Sequence, residues 1–116
     1  MIISQLNINS IRNKIEMLSS LVRGKVDLLF ISESKIDASF PTAQFMIPGF
    51  TLPFRKDRND KGGGVLLYLR NDIPVKFLNK KCPKLETQYE NIFIEITLHN
   101  KKWLICGSYN PKKSKI

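Results

Sequence analysis

One carboxylate, one lysine and two amides have types and spacing that could do chemistry in this sequence. Glu33 directly follows the apolar run "VDLLFIS" (26–32), with Ser34 and Lys35 behind it. Asn7 and Asn9 stand two apart at the end of the stretch that opens the chain, "MIISQLNIN", and strand geometry would turn both side chains to one side. In α/β sheets, ligands and reactive groups gather beyond the carboxyl ends of parallel strands. If these two strands are neighbours, the amides, Glu33 and Lys35 converge on one spot. Oxygen donors with a single carboxylate suit a hard cation such as Mg²⁺ (or Mn²⁺), which keeps several waters and takes substrate phosphates as further ligands. A plainer account fits the same residues: Asn9 starts a turn, Asn7 bonds backbone, and Glu33 with Lys35 is a solvated pair.

The elements that would position these groups can be read in order. Ser10 is placed to cap a helix in which Ile11, Ile15, Leu18, Leu21 and Val22 recur at helical spacing, and Gly24 follows as a stop. Residues 1–32 therefore predict strand, helix, strand, with the strands parallel. Pro48-Gly49 breaks "FMIPGFTLPF" into two pieces at a turn, "GGGVLLYLR" (62–70) is a strand launched from glycines, and "IPVKFL" (73–78) is an edge strand. "NIFIEITLHNKKWLICGSY" (91–109) predicts two strands around a turn near Asn100-Lys101. Val65, Leu67 and Leu69 line one face of their strand while Leu66 and Tyr68 line the other, and Trp103 and Ile105 oppose Leu104 and Cys106 in the same way. Such a sheet must be covered on both faces. A single helix does not suffice, so the sequence predicts a missing cover, either a partner subunit or further chain.

Composition narrows the partners. The chain has 116 residues, with 19 Lys+Arg against 10 Asp+Glu, a net charge of +9 and a pI near 9.8. That balance favours an anionic partner, nucleic acid being the commonest. Basic residues gather in "FRKDRNDK" (54–61), "NKKCPK" (79–84) and "NPKKSK" (110–115). Arg12, Arg55, Lys56, Arg58, Lys112 and Lys113 are the candidate phosphate contacts. No apolar run approaches the roughly 18 residues a membrane span requires. Met1 leads into strand-like sequence without a basic leader, and the two cysteines, Cys82 and Cys106, fit no metal spacing. The expectation is an intracellular protein, nuclear or cytoplasmic.

Taken in order, "LNINSIRNKI", "DLLFISESKID", "SFP…FMIPGF", "FRKDRNDKGGGVLLYLRNDIP", "ENIFIEI" and "KKWLICGSYNP" resemble the endonuclease/exonuclease/phosphatase family. More narrowly, they resemble the endonuclease domain that precedes reverse transcriptase in non-LTR (LINE-type) retrotransposon proteins. The resemblance covers nearly the whole chain, and six motifs in one order are far more specific than any one of them. It implies a four-layered α/β sandwich and Mg²⁺-dependent cleavage of DNA phosphodiester bonds. Under it, Asn7 matches the asparagine that orients catalytic groups, and Asn9 a position near the metal. Glu33 matches the metal-ligand glutamate, Lys35 its neighbouring lysine, and Tyr109 a tyrosine that contacts the phosphate.

The sequence also departs from that pattern. The family needs a later Gly-Asp-x-Asn motif to activate water and a terminal Ser-Asp-His. Asp57-Arg58-Asn59 spells D-x-N, but in a charged loop before the glycines, and His99 falls in the turn of the last hairpin. The expected architecture is thus the N-terminal half of the sandwich, a βαβ start followed by mainly antiparallel strands of one mixed sheet, over residues 1–116. It would carry the metal-binding half of the site and be inactive alone. Two other readings compete: a non-catalytic nucleic-acid-binding or self-associating remnant, joining copies through an uncovered sheet face, and another phosphodiesterase or phosphatase of the same superfamily.

Overall fold

A computed structural model describes residues 1–58, 61–78 and 90–109. The chain runs β1 (Ile3–Asn7), α1 (Ile15–Val22), β2 (Leu28–Ser32), a 3₁₀ turn (Thr42–Phe45), β3 (Phe54–Lys56), β4 (Val65–Leu69), β5 (Val75–Phe77), β6 (Glu90–Leu98) and β7 (Lys101–Tyr109). The α/β class, the parallel βαβ start and the antiparallel strands after it are as the sequence predicts. The strands divide differently, however. Four form a mixed sheet in the order β1-β2-β4-β3, and β5-β6-β7 form a second, antiparallel sheet.

This division accounts for the strands that are apolar on both sides. Every residue of β2 and β4 is buried. Leu29, Ile31, Leu66 and Tyr68 face α1 (through Leu18 and Val22) and the loop residues Ile11, Ile36, Phe45, Ile47 and Phe50. Leu28, Phe30, Val65, Leu67 and Leu69 face the second sheet, meeting Ile92, Ile94 and Ile96 of β6. The cover that a single helix could not supply comes from loop side chains on one side and β5–β7 on the other. "GVLLYL" is therefore fully enclosed. Exposed side chains remain on the outer face of β7, at Leu104 and Cys106, and elsewhere on the edge strands β1 and β7, at Ile3 and Trp103.

The helix begins later than its apolar spacing predicts. Ser10 adopts a left-handed conformation (φ 82°) and does not cap; Lys14 occupies the N-cap position. Ile11 is buried ahead of the helix, its N–H bonded to the carbonyl of Ser34 at 3.0 Å. The four residues between Ser10 and the helix thus belong to the loop that shapes the carboxyl end of β1. On the far side, the Tyr68 hydroxyl donates to the Phe45 carbonyl at 2.7 Å and ties the 3₁₀ turn to β4. Burial raises the Tyr68 pKa above its usual value.

Candidate active site

β1 and β2 pair in parallel with Asn7 opposite Ser32, so both strands end at one edge and Glu33 is the first residue past it. The pairing continues beyond the strands: Ile8 N–H donates to Ser32 O at 3.0 Å and Ser10 N–H to Glu33 O at 2.7 Å. The two loops are therefore stitched together backbone to backbone. They also carry five left-handed non-glycine residues, Asn9, Ser10, Asn13, Glu33 and Lys35. Conformations of this kind cost of order 1–3 kcal/mol each and persist where the surroundings over-determine them, which is common at functional sites.

Within this corner the predicted groups do meet. The Lys35 ammonium donates to Asn9 Oδ1. Asn9 N–H donates to Asn7 Oδ1 at 3.2 Å, and Lys14 Nζ donates to the carbonyls of Ile8 and Asn9 at 2.8 and 3.1 Å. The two amides are not projected from one strand face, because Asn9 lies beyond β1 with φ 48°. Asn7 instead bonds backbone, as the plainer account has it, while Asn9 presents its oxygen to Lys35.

Glu33 is held from two other directions. Gly63 N–H reaches Oε1 at 3.3 Å, and the Tyr109 hydroxyl donates to Oε2 at 2.8 Å. The Tyr109 hydrogen bond lowers the Glu33 pKa most, against the opposing effect of burial; Gly63, Lys35 and Arg58 lower it further. The carboxylate is therefore kept charged. Tyr109 arrives from the end of β7, in the other sheet, so the candidate site is assembled across the sandwich.

The glycine turn before β4 completes the corner and was not marked out by the sequence as part of the site. Ser34 N–H donates to Gly64 O at 3.2 Å and Lys35 N–H to Gly63 O at 2.9 Å. Gly64 has φ 91°, and a Cβ there would overlap Ser34 Oγ, a buried hydroxyl with no hydrogen-bond partner among the described residues. The run "GGG" was the available signal, since glycine is needed where backbones approach closely in left-handed conformations.

The basic candidates are distributed unevenly. Arg55 points inward: its guanidinium donates to Phe40 O, Thr42 Oγ1, Asp37 O and both carboxylate oxygens of Asp57, at 2.6–3.2 Å. With all five donors engaged it is a structural tie, not a free phosphate contact. The same ion pair occupies Asp57, the first residue of the D-x-N sequence; Asn59 lies outside the described residues. Arg12 is exposed, with its guanidinium over the Phe40 ring at 5.7 Å. Arg58 is exposed and donates to Gly62 O at 3.3 Å, close enough to Glu33 to lower its pKa. Lys56 is half-buried on β3, and Lys112 and Lys113 lie outside the described residues. His99 is exposed at the tip of the β6–β7 hairpin with φ 52°, at the opposite end of β7 from Tyr109.

The donor set fits a weakly held hard cation. Each Glu33 oxygen accepts one hydrogen bond, and the amide oxygens of Asn7, at the end of β1, and Asn9, in the loop after it, belong to the same corner. Among the described residues no three of His, Cys, Asp and Glu gather. An ion here would have one carboxylate ligand, would retain most of its waters, and would compete with Lys35 for the Asn9 oxygen.

Comparison with known proteins agrees with this geometry at the level of fold. The chain superposes on a 3′ phosphatase from Neisseria, NExo, solved with a product DNA hairpin (TM-score 0.54, 20% identity), over 88% of this chain and 39% of that one. It also superposes on the catalytic domain of Xenopus laevis APE2 (TM-score 0.56, 16% identity), over 99% of this chain and 48% of that one. The fold thus matches part of the α/β sandwich of these two structures, and the chain spans less than half the length of either. No family model matches the sequence, and no curated protein does.

Proposed function

We propose that this chain is the N-terminal half of a Mg²⁺-dependent DNA endonuclease domain of the non-LTR retroelement type, and that it does not cut DNA alone. The observation that carries the proposal is Glu33: it stands at the carboxyl end of β2, kept anionic by Tyr109 and Gly63, with the Lys35–Asn9 pair beside it. A divalent cation at Glu33 would supply positive charge to a phosphodiester's oxygens. Lys35 would add a fixed positive charge at the same corner. Asn9 would orient Lys35, and the Tyr109 hydroxyl would hold the carboxylate in place and lie within reach of a phosphate oxygen. The six ordered motifs and the net charge of +9 support the retroelement assignment and DNA as the partner.

Hydrolysis also needs a group to activate water, and general acid–base groups contribute about 10²–10⁴-fold. The only histidine is His99, on the distal hairpin, and Asp57 is bound up with Arg55. This favours a site completed by further sequence carrying Gly-Asp-x-Asn and Ser-Asp-His. The test is nicking of supercoiled plasmid in Mg²⁺. The chain alone should bind without nicking, and a protein extended by the reading frame that follows Ile116 should nick, losing activity on Glu33→Gln. Nicking by the chain alone would refute the half-site reading. An extended protein that binds but never nicks would favour the non-catalytic remnant, and one that removes only terminal phosphates would favour a phosphatase.

A further inference from the structure

Gly107 lies on β7 opposite Ile92 of β6, on the face turned toward the first sheet. Its backbone backs directly onto the Phe30 ring of β2: a Cβ at this position would overlap Cδ1 and Cε1 of the ring. Both residues are buried. Gly107 is not among the glycines with positive φ, so conformational freedom is not what it contributes. A glycine inside a strand weakens the strand, and its use there marks a close approach by another group. What Gly107 offers is the missing side chain.

The place of that contact gives it a consequence. Tyr109 is two residues beyond Gly107 and so on the same face of β7. Glu33 is three residues beyond Phe30, and the two sheets meet again where the Tyr109 hydroxyl reaches Glu33 Oε2 at 2.8 Å. Carbon atoms pack at about 3.5–4.0 Å. A Cβ at position 107 would therefore push the ring or the strand aside by about 1 Å. The ring belongs to the buried cluster of Leu28, Val65, Leu67 and Ile92 and, with Gly107, also borders a cleft between the sheets, so the overlap is relieved by a shift shared between ring and strand, and the strand's share carries Tyr109 with it. An O–H···O bond works over about 2.5–3.0 Å, so even part of that displacement weakens it.

We infer that Gly107 is a positioning residue for the candidate site: by leaving room for the Phe30 ring it sets the spacing between the sheets that seats Tyr109 on Glu33. The inference rests on the reading above for the role of Glu33, but the Tyr109–Glu33 contact can be measured without it. The experiment uses protein labelled with ¹³C at the tyrosine ζ carbon. Tyr109→Phe assigns the resonance, and Glu33→Ala defines its position when no acceptor is present. In Gly107→Ala the Tyr109 resonance should move toward the Glu33→Ala position, and Mn²⁺ affinity should fall roughly 3- to 10-fold, the loss expected for one hydrogen bond. Phe30→Val makes room, so Phe30→Val/Gly107→Ala should restore the wild-type resonance and most of the affinity. An unshifted Tyr109 resonance in folded Gly107→Ala would overturn the inference. So would a double variant that folds without regaining the resonance, or one that fails to fold where Gly107→Ala also fails. If wild type binds no Mn²⁺ while the resonance behaves as stated, the positioning role stands and the metal reading falls.

Discussion

Glu33 accepts hydrogen bonds on both carboxylate oxygens, and the stronger influence on its proton affinity comes from Tyr109, 76 residues away in sequence. The hydroxyl favours the charged form, so Tyr109→Phe should raise the Glu33 pKa toward the ordinary glutamate value, read by carbon NMR of the side-chain carboxyl. Because the folded-state pKa is lowered, the contribution of Glu33 to stability is present above the unfolded pKa. It is lost as pH falls through the folded pKa, below the usual glutamate range. Tyr109→Phe should therefore destabilise the protein at neutral pH more than in strong acid. A variant whose stability difference from wild type does not change with pH would contradict the hydrogen bond.

The glycine turn and the two loops act as one element. Gly64→Ala meets two penalties, a left-handed backbone at φ 91° and overlap with Ser34 Oγ, whereas Gly24→Ala meets only the first, at φ 72° with open space around it. Urea denaturation should show about 1–2 kcal/mol lost at Gly24, from the chirality penalty alone, and a larger loss at Gly64. Equal losses would mean that packing against Ser34 contributes nothing. How far these elements can be read from sequence depends on the range of the forces behind them. Strands β2 and β4 are legible because burial on both faces writes an unbroken apolar run, and the β6–β7 hairpin because its turn interrupts two such runs. The helix start is not, because the carboxyl-end loop claims Ser10 and Ile11 through bonds to Glu33 and Ser34. The split into two sheets is illegible too, since the pattern of β4 is the same whether a helix or a second sheet covers it. Glu33, Lys35 and Asn9 follow from strand-end logic. The contribution of Tyr109 enters only by resemblance, and Gly107 leaves no signal because its reason lies in a contact with Phe30 across the sandwich.

At the scale of the whole molecule, charge and exposed apolar surface govern behaviour. If phosphates are the main contacts, DNA affinity should fall with salt at a log–log slope of about −0.9 per phosphate neutralised on duplex. Arg55→Ala should change stability more than the slope, because its guanidinium is tied inside the protein, while Arg58→Ala should reduce the slope by about one. Trp103 and Leu104, at 52% and 68% exposure, together with Ile3 at 58%, place apolar surface along the edge strands β7 and β1. Sedimentation should accordingly show concentration-dependent self-association that Leu104→Lys weakens. If Glu33 anchors a divalent cation in this corner of the fold, Mn²⁺ titrated into wild type and Glu33→Gln under electron paramagnetic resonance will distinguish the two proteins. Wild type should bind weakly and saturably, and a Glu33→Gln protein with an unchanged circular dichroism spectrum should not bind; identical titration curves for the two would rule out Glu33 as the metal ligand.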